Sequence, residues 1–230
     1  MNLAALYSGG KDSTFSLYKS LKEGHHVLCL IAMLPDRDDS IFFHYPNAYY
    51  TLYQAECLDI PLISKKSRCE SKEQELDELE DVFREVKQMF AIDGIVTGGL
   101  ASKFQQENFT KICNKLDLQY YSPNWNVDQT QYMDNLLANN FIIMIVGVSA
   151  SGLNEKLLGR IIDPSTLNEL KSLSEKHGFS IAFEGGEAET FVLDCPLFKK
   201  RIEVKDGEKH WDGIRGYFEI LGIEIINKQI

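Results

Sequence analysis

A strand that runs into Ser8-Gly9-Gly10-Lys11-Asp12-Ser13 and out into a helix leaves few folds open to a chain. Residues 3–7 are a short apolar run that reads as a buried strand, and residues 12–23 carry a helical pattern. Between them, two glycines let the backbone approach a ligand closely and tolerate positive φ. The first N–H groups of a helix have no acceptor within it and point at whatever sits there. Ser8 and Ser13 add hydroxyl donors, and Lys11 adds a compact positive charge. These residue types in this order suit a phosphate. Asp12 is out of place beside an anion unless a metal is present, so Mg²⁺ is expected with it. A solvated turn is the plain alternative, but six specified residues at the first strand–helix junction favour the phosphate site. The spacing is not that of a Walker A loop, GxxxxGK[ST].

The alternation of strand and helix continues. Residues 27–34 read as a second strand, 46–58 as a helix, and 62–65 as a short strand. Leu76, Leu79, Phe83, Val86 and Phe90 fall at spacings of three and four, and Ser71 with Gln74 resembles a capping box ahead of them. Residues 94–98 follow as a strand, 102–116 as a helix and 119–122 as a strand. This pattern implies an α/β fold, a doubly wound parallel sheet with helices on both faces. Such sheets bind ligands beyond the carboxyl ends of the strands, at the switch point. On that rule Ala32 and Met33, with Gly98 and Gly99, should line the adenine and ribose of a nucleotide.

The character changes after Trp125, so the expected division is a nucleotide-binding domain at 1–125 and a smaller α+β substrate-binding domain at 126–230. Residues 141–149 read as a strand and 163–178 as a helix, with a proline in its first turn and Gly178 as its stop. Alternating patterns at 201–204, 209–211 and 218–226 follow, and Asp206-Gly207 is a hairpin signal between the first two. The formal charge is −10, which argues against a stable nucleic-acid complex. Much of the acidic excess, at residues 70–85, reads as a solvated helix face. Five cysteines without a CxxC pair read as reduced core thiols, Cys113 and Cys195 included. There is no apolar run long enough to span a membrane and no leader-like start, so a cytoplasmic location without membrane association is expected.

The loop at Ser8 resembles the PP-loop of ATP pyrophosphatases. Further on stand Gly98-Gly99-Leu100-Ala101-Ser102-Lys103-Phe104-Gln105, Ser122-Pro123-Asn124-Trp125, Gly147-Val148-Ser149-Ala150-Ser151-Gly152-Leu153 and Leu158-Gly159-Arg160. Then comes Glu184-Gly185-Gly186-Glu187-Ala188-Glu189-Thr190, followed by Phe191-Val192-Leu193-Asp194-Cys195-Pro196. In that order these segments resemble the compact diphthine–ammonia ligases. The resemblance implies an ATP-dependent amide ligase. It would adenylate the diphthine carboxylate on translation elongation factor 2, take ammonium as the nitrogen source, and release AMP and pyrophosphate. Ala188, Phe104, Gln106 and Asn108 depart from the family pattern.

The resemblance implies site roles as well. Ser8, Gly9, Gly10, Lys11, Asp12 and Ser13 would hold the phosphates, with Lys11, Asp12 and Glu187 catalytic and Asp12 on the metal. His44 and Asn47 match a nucleotide-contacting pair, and Ser102 and Gln105 would serve the substrate. So would Glu184, Gly185, Gly186, Glu187, Glu189 and Thr190, whose carboxylates suit a trimethylammonium group, Mg²⁺ or ammonium. Tyr49, Tyr50 and Tyr53 read as helix packing, with a cation cage as the alternative. Assembly as a homo-oligomer is left open. The competing functions are a PP-loop enzyme acting on tRNA or a small carboxylate, and a nucleotide-binding sensor without turnover.

Overall fold

The computed structural model describes residues 1–35, 47–68 and 71–228. It divides into two compact units, Met1–Trp125 and Asn126–Ile230.

In the first unit the chain runs through β1 (Asn2–Leu6), α1 (Lys11–Lys22), β2 (His26–Pro35) and a 3-10 turn (Asn47–Tyr50) that leads into α2 (Thr51–Leu58). Then come β3 (Leu62–Ser67), α3 (Lys72–Met89), β4 (Gly94–Val96), α4 (Lys103–Lys115) and β5 (Gln119–Tyr121). Every strand pair is parallel, in the order β3-β2-β1-β4-β5. The chain steps outward from β1 to β3, then crosses back past β1 to β4. Right-handed crossovers therefore put α1 and α2 on one face and α3 and α4 on the other. Burial agrees for the second face: Ala4, Cys29, Ile31 and Met33 of the strands meet Leu79, Val82, Phe83 and Val86 of α3 and Phe109, Ile112 and Cys113 of α4. The strand order reverses between β1 and β4, so the loops after those two strands flank the crevice.

The apolar stripe of α3 is buried at Leu79, Phe83 and Val86, joined by Val82, while Leu76 and Phe90 are half-buried. Ser71 Oγ caps α3 as expected, accepting from the Gln74 N–H at 3.2 Å, and the Gln74 side chain also donates to Glu78. The acidic run is not wholly solvated, because Glu75 is 1% exposed. Tyr49 departs from the packing reading too: it is 64% exposed. Cys29, Cys57, Cys113 and Cys195 are buried and form no disulfide, and Cys69 lies outside the described residues. Burial pushes the thiols of Cys29, Cys113 and Cys195 up to about 12.

The second unit holds α5 (Gln129–Ala138), β6 (Ile142–Val148), a 3-10 turn (Glu155–Leu157), α6 (Pro164–His177), β7 (Ala188–Asp194), β8 (Lys200–Trp211) and β9 (Gly216–Asn227). Its strands pair antiparallel in the order β7-β6-β9-β8. The hairpin expected at Asp206-Gly207 is not there. Those residues lie inside β8, where the pairing with β9 shifts register as at a bulge. A side chain on Gly207 would come within 2.3 Å of the Phe218 ring, so glycine at this position serves packing across the ribbon. The turn closes further on, where Asp212 Oδ1 accepts from the N–H groups of Ile214 and Arg215, both at 2.9 Å.

Helix α6 starts and stops where the sequence indicates. Asp163 Oδ1 accepts from the Thr166 N–H at 2.7 Å, and Gly178 ends the helix at φ +76°. That backbone hydrogen bond holds the Asp163 carboxyl below its ordinary range. A depressed carboxyl stabilises the fold fully above its unfolded pKa and loses that contribution as pH falls toward the folded value. Asp163→Asn keeps an acceptor at the cap but cannot titrate. Urea midpoints measured from about pH 5 down to about pH 3 should therefore fall less steeply in Asp163→Asn than in the parent chain.

Candidate functional site

The segment after β1 forms a compact loop whose shape comes from its own hydroxyls. The Tyr7 N–H donates to the Ile31 carbonyl at 2.8 Å, the last tie to the sheet before the loop. Ser8 N–H then donates to Ser13 Oγ at 3.2 Å, and the two serine hydroxyls lie 3.2 Å apart. Ser13 Oγ and Thr14 Oγ1 both donate to the Gly10 carbonyl, at 3.2 and 2.8 Å. Gly9 sits at φ +78°, which a side chain would resist. The space beside it is filled by Gln54 of α2, whose Nε2 donates to the Gly9 carbonyl at 2.9 Å.

Helix α1 therefore begins at Gly10 with no side-chain cap. Its opening turn presents backbone N–H groups with no acceptor inside the helix, and an anion is their natural partner. Lys11 is 2% exposed and contacts the Asp12 carboxylate at 2.8 and 2.9 Å, so its buried charge is compensated locally. Asp12 itself is 32% exposed. Backbone donors, two hydroxyls and one lysine fit a phosphate chain. Among the described residues no group of three His, Cys, Asp or Glu could hold a metal by itself. One carboxylate beside a phosphate site is nevertheless what Mg²⁺ uses, because it keeps phosphate and water ligands.

The loop after β4 reaches the same place. A Cβ on Gly98 would stand 2.7 Å from the Ser13 nitrogen and 2.8 Å from the Asp12 carbonyl carbon, so Gly98 lies directly against the start of α1. Gly99 is looser, since a Cβ there would meet only the Tyr120 hydroxyl at 3.7 Å. Its carbonyl accepts from Ser122 Oγ at 2.6 Å, while Thr97 Oγ1 donates to Tyr120 at 3.0 Å. Asn124 is buried and donates to Ser16 of α1 at 2.9 Å, and Lys19 donates to the Pro123 carbonyl at 2.6 Å. The Ser122–Trp125 motif thus fixes α1 from behind.

The structure gathers Ser8, Gly9, Gly10, Lys11, Asp12, Ser13 and Gly98 at one spot. Ala32 and Met33 lie in β2 and are buried, and the Met33 side chain belongs to the apolar core beneath α3 and α4. Only the backbone of Met33 is therefore left for a nucleotide. Asn47 is buried in the 3-10 turn, and His44 lies outside the described residues. Ser102 is occupied as the N-cap of α4, accepting from the Gln105 N–H at 3.4 Å.

In the second unit the Glu184–Thr190 segment is a tight turn leading into β7, and its central carboxylate faces inward. Glu187 Oε1 accepts from the Ser180 N–H at 2.9 Å and Oε2 from the Gly185 N–H at 2.8 Å. Ser149 Oγ donates to the Gly186 carbonyl at 2.6 Å, and the Ser149 N–H donates to the Glu187 carbonyl at 2.8 Å. Gly186 is at φ +78°, and a Cβ on Gly185 would meet Glu187 Oε1 at 2.9 Å. Both oxygens of Glu187 thus accept backbone N–H groups of its own loop, which fixes the shape of the turn. Glu184 and Glu189 are half-buried, and Thr190 pairs with Ile145 in the sheet. Sequence reasoning assigned no role to Gln54, Ser149 or Ser180. Gln54 and Ser149 act on loops 45 and 37 positions away, and Ser180 on Glu187 seven positions on.

Residues 1–120 match the family model described as the diphthamide synthase N-terminal domain, and residues 128–226 match the diphthamide synthase C-terminal domain. Among curated relatives, the diphthine–ammonia ligase of Rattus norvegicus is 34% identical over 230 residues, covering 90% of this chain and 84% of that one. The diphthine–ammonia ligase of Homo sapiens is 33% identical over 226 residues, with coverage of 90% and 84%. The Schizosaccharomyces pombe relative of the same name is 32% identical, covering 96% of this chain but 39% of its own longer one.

Two substitutions separate the close approach from the looser one. Gly98→Ala should raise the Kd for ATP at least about tenfold, because the methyl must displace the start of α1, whereas Gly99→Ala should change it little; isothermal titration calorimetry reads both. In the second unit, Glu187→Gln would set an amide NH₂ against a backbone N–H. Hydrogen exchange at the Ser180 and Gly185 amides should then quicken while the amides of β6 stay protected.

Proposed function

The chain belongs to the diphthamide synthase family, and from that membership we propose that it is the ATP-dependent ligase that converts diphthine to diphthamide on translation elongation factor 2. The observation that carries this reading is the uncapped start of α1, with Lys11 buried beside it and Gly98 closing it from β4. It supports a site for the phosphates of ATP, in a chain whose relatives along most of its length are diphthine–ammonia ligases.

The reaction has two bond exchanges. An oxygen of the diphthine carboxylate bonds to the α-phosphorus of ATP as the bond to the β-phosphate bridging oxygen breaks, and pyrophosphate leaves. Ammonia then attacks the acyl carbon, loses a proton and displaces AMP, giving the amide. In the first step negative charge grows on the departing pyrophosphate. Donors already aimed at that position stabilise it without reorganising, usually the largest catalytic contribution. The N–H groups of the first turn of α1, the hydroxyls of Ser8 and Ser13, and Lys11 are the proposed donors. Mg²⁺ held by Asp12 and the phosphates would add neutralising charge there. Lys11 is already dehydrated and compensated by Asp12, so binding requires a change of partner rather than removal of a hydration shell.

The adenosine is proposed to lie along Ala32, the backbone of Met33 and Gly98–Gly99. In the second unit Glu184 and Glu189 are the proposed contacts to the acceptor protein, on a loop that Glu187 keeps in shape. No helix of the described residues is long and apolar enough to cross a membrane. The same reading puts the enzyme in the cytoplasm with its protein substrate, and takes free ammonium as the nitrogen source.

The test is to incubate the protein with Mg-ATP, ammonium and diphthine-bearing elongation factor 2, and to quantify AMP with each component left out in turn. AMP should require both the factor and ammonium, and Lys11→Ala should lower its rate about 100-fold or more. AMP formed without the factor would keep the α–β cleavage and redirect the search to tRNA or a small carboxylate. Nucleotide binding without AMP under any condition would identify a sensor and overturn the ligase reading.

A further inference from the structure

At the start of α2 most side chains are packed away. Asn47 and Ala48 are buried, Thr51 is 1% exposed and Gln54 is not exposed at all, yet Tyr49 among them is 64% exposed. Its ring stands nearly perpendicular to that of Tyr50, with centroids 6.3 Å apart. Tyr50 in turn stacks on Tyr53 at 5.8 Å and 26°. The three rings form one continuous aromatic surface, and Tyr50 and Tyr53 are half-buried where they support it.

This surface belongs to the helix that grips the phosphate loop. Gln54 follows Tyr53 directly and donates to the Gly9 carbonyl at 2.9 Å. Thr51 follows Tyr50, and its methyl group stands 3.2 Å from where a Gly9 Cβ would be. Residues that touch the loop therefore alternate along the chain with residues that build the aromatic surface.

The acceptor has a matching requirement. In diphthine the quaternary nitrogen and the carboxylate are attached to the same carbon. Any position that brings the carboxylate to the α-phosphate brings a permanent cation with it, into a place already occupied by Lys11. A trimethylammonium group has no N–H and cannot be held by hydrogen-bond acceptors. Carboxylates attract its charge, and aromatic faces such as tyrosine attract it through the ring quadrupole.

We propose that Tyr49, Tyr50 and Tyr53 form a cation–π subsite for the trimethylammonium group of the acceptor. The subsite rests on the ligase reading above, and it makes the enzyme selective for an acceptor whose amine has already been fully methylated.

Glycine betaine carries the same trimethylammonium and carboxylate pair, and 3,3-dimethylbutanoate is its isostere with an uncharged head. Saturation-transfer NMR on the full chain should show the methyl groups of betaine in contact with the protein, with a signal at least about fivefold stronger than that of the isostere. The signal should be lost in the double variant Tyr49→Leu, Tyr50→Leu and kept in the corresponding phenylalanine double variant. In steady-state amide formation, the leucine variant should raise KM for the diphthine-bearing factor about fivefold to tenfold, and phenylalanine should restore it. Circular dichroism checks the fold, and Tyr49→Leu alone serves as a second variant at a position already exposed. An unchanged KM in the leucine variants, or a betaine signal indifferent to them, overturns the subsite while leaving the ligase reading intact. Tyrosine-dependent betaine binding in a protein that never amidates the factor would leave the cation site standing and remove the ligase reading.

Discussion

The rest of the first unit is arranged around a helix that begins without a cap. A helix end in a folded protein normally has its first N–H groups covered by a serine, threonine or aspartate side chain. Helices α3, α4, α5 and α6 do so, through Ser71, Ser102, Asp128 and Asp163, while α2 continues from its 3-10 turn without one. Helix α1 does not, although serines stand on both sides of its start. Ser8 and Ser13 are turned toward each other, and Ser13 and Thr14 donate to Gly10. The hydroxyls shape the loop, Ser8 Oγ also accepting from the Gly10 N–H at 3.5 Å, and no side chain caps the helix. The surrounding features keep that end rigid: Gly98 against its first turn, Gln54 on Gly9, Asn124 on Ser16 and Lys19 on Pro123. A bound anion would gain by this rigidity, because donors fixed in advance need no reordering when charge develops.

Much of this was legible in the sequence, because the signals are local. A strand, two glycines, a lysine and a helix in direct succession give both the tight loop after β1 and its place in a doubly wound sheet. The same holds for α6, whose aspartate, proline and glycine stand within fifteen positions of one another. Where the reading failed, two local solutions shared one signature. Asp206-Gly207 and Asp212-Gly213 are both acceptable turns, and only the pairing of β8 with β9 decides between them. Packing of Phe218 over Gly207 makes the first a bulge and leaves the second to close the hairpin.

The glutamates of the second unit show a different limit. From sequence, Glu184, Glu187 and Glu189 look alike: three carboxylates in a glycine-rich turn. Their environments separate them through residues that sequence spacing does not connect. Ser180 lies seven positions away and Gly185 only two, and both direct backbone N–H groups at Glu187. Two backbone donors on one carboxylate hold the turn in its shape. Composition singles out the segment, and only the hydrogen bonds distinguish its three carboxylates.

Lys11 and Asp12 link these levels. A lysine that is 2% exposed would ordinarily be a heavy burden on stability, and a neighbouring carboxylate is what makes it tolerable. The arrangement stores a dehydrated cation beside a helix end that wants an anion, with a partner it can exchange. On the proposed reading, a phosphate would give the lysine a second acceptor, and Asp12, 32% exposed, would be the carboxylate available to a hydrated metal. Reversing these two residue types would bury the carboxylate against the incoming phosphate and leave the cation in water. Their order within Gly10-Lys11-Asp12-Ser13 is therefore fixed by electrostatics, as the glycines are fixed by sterics.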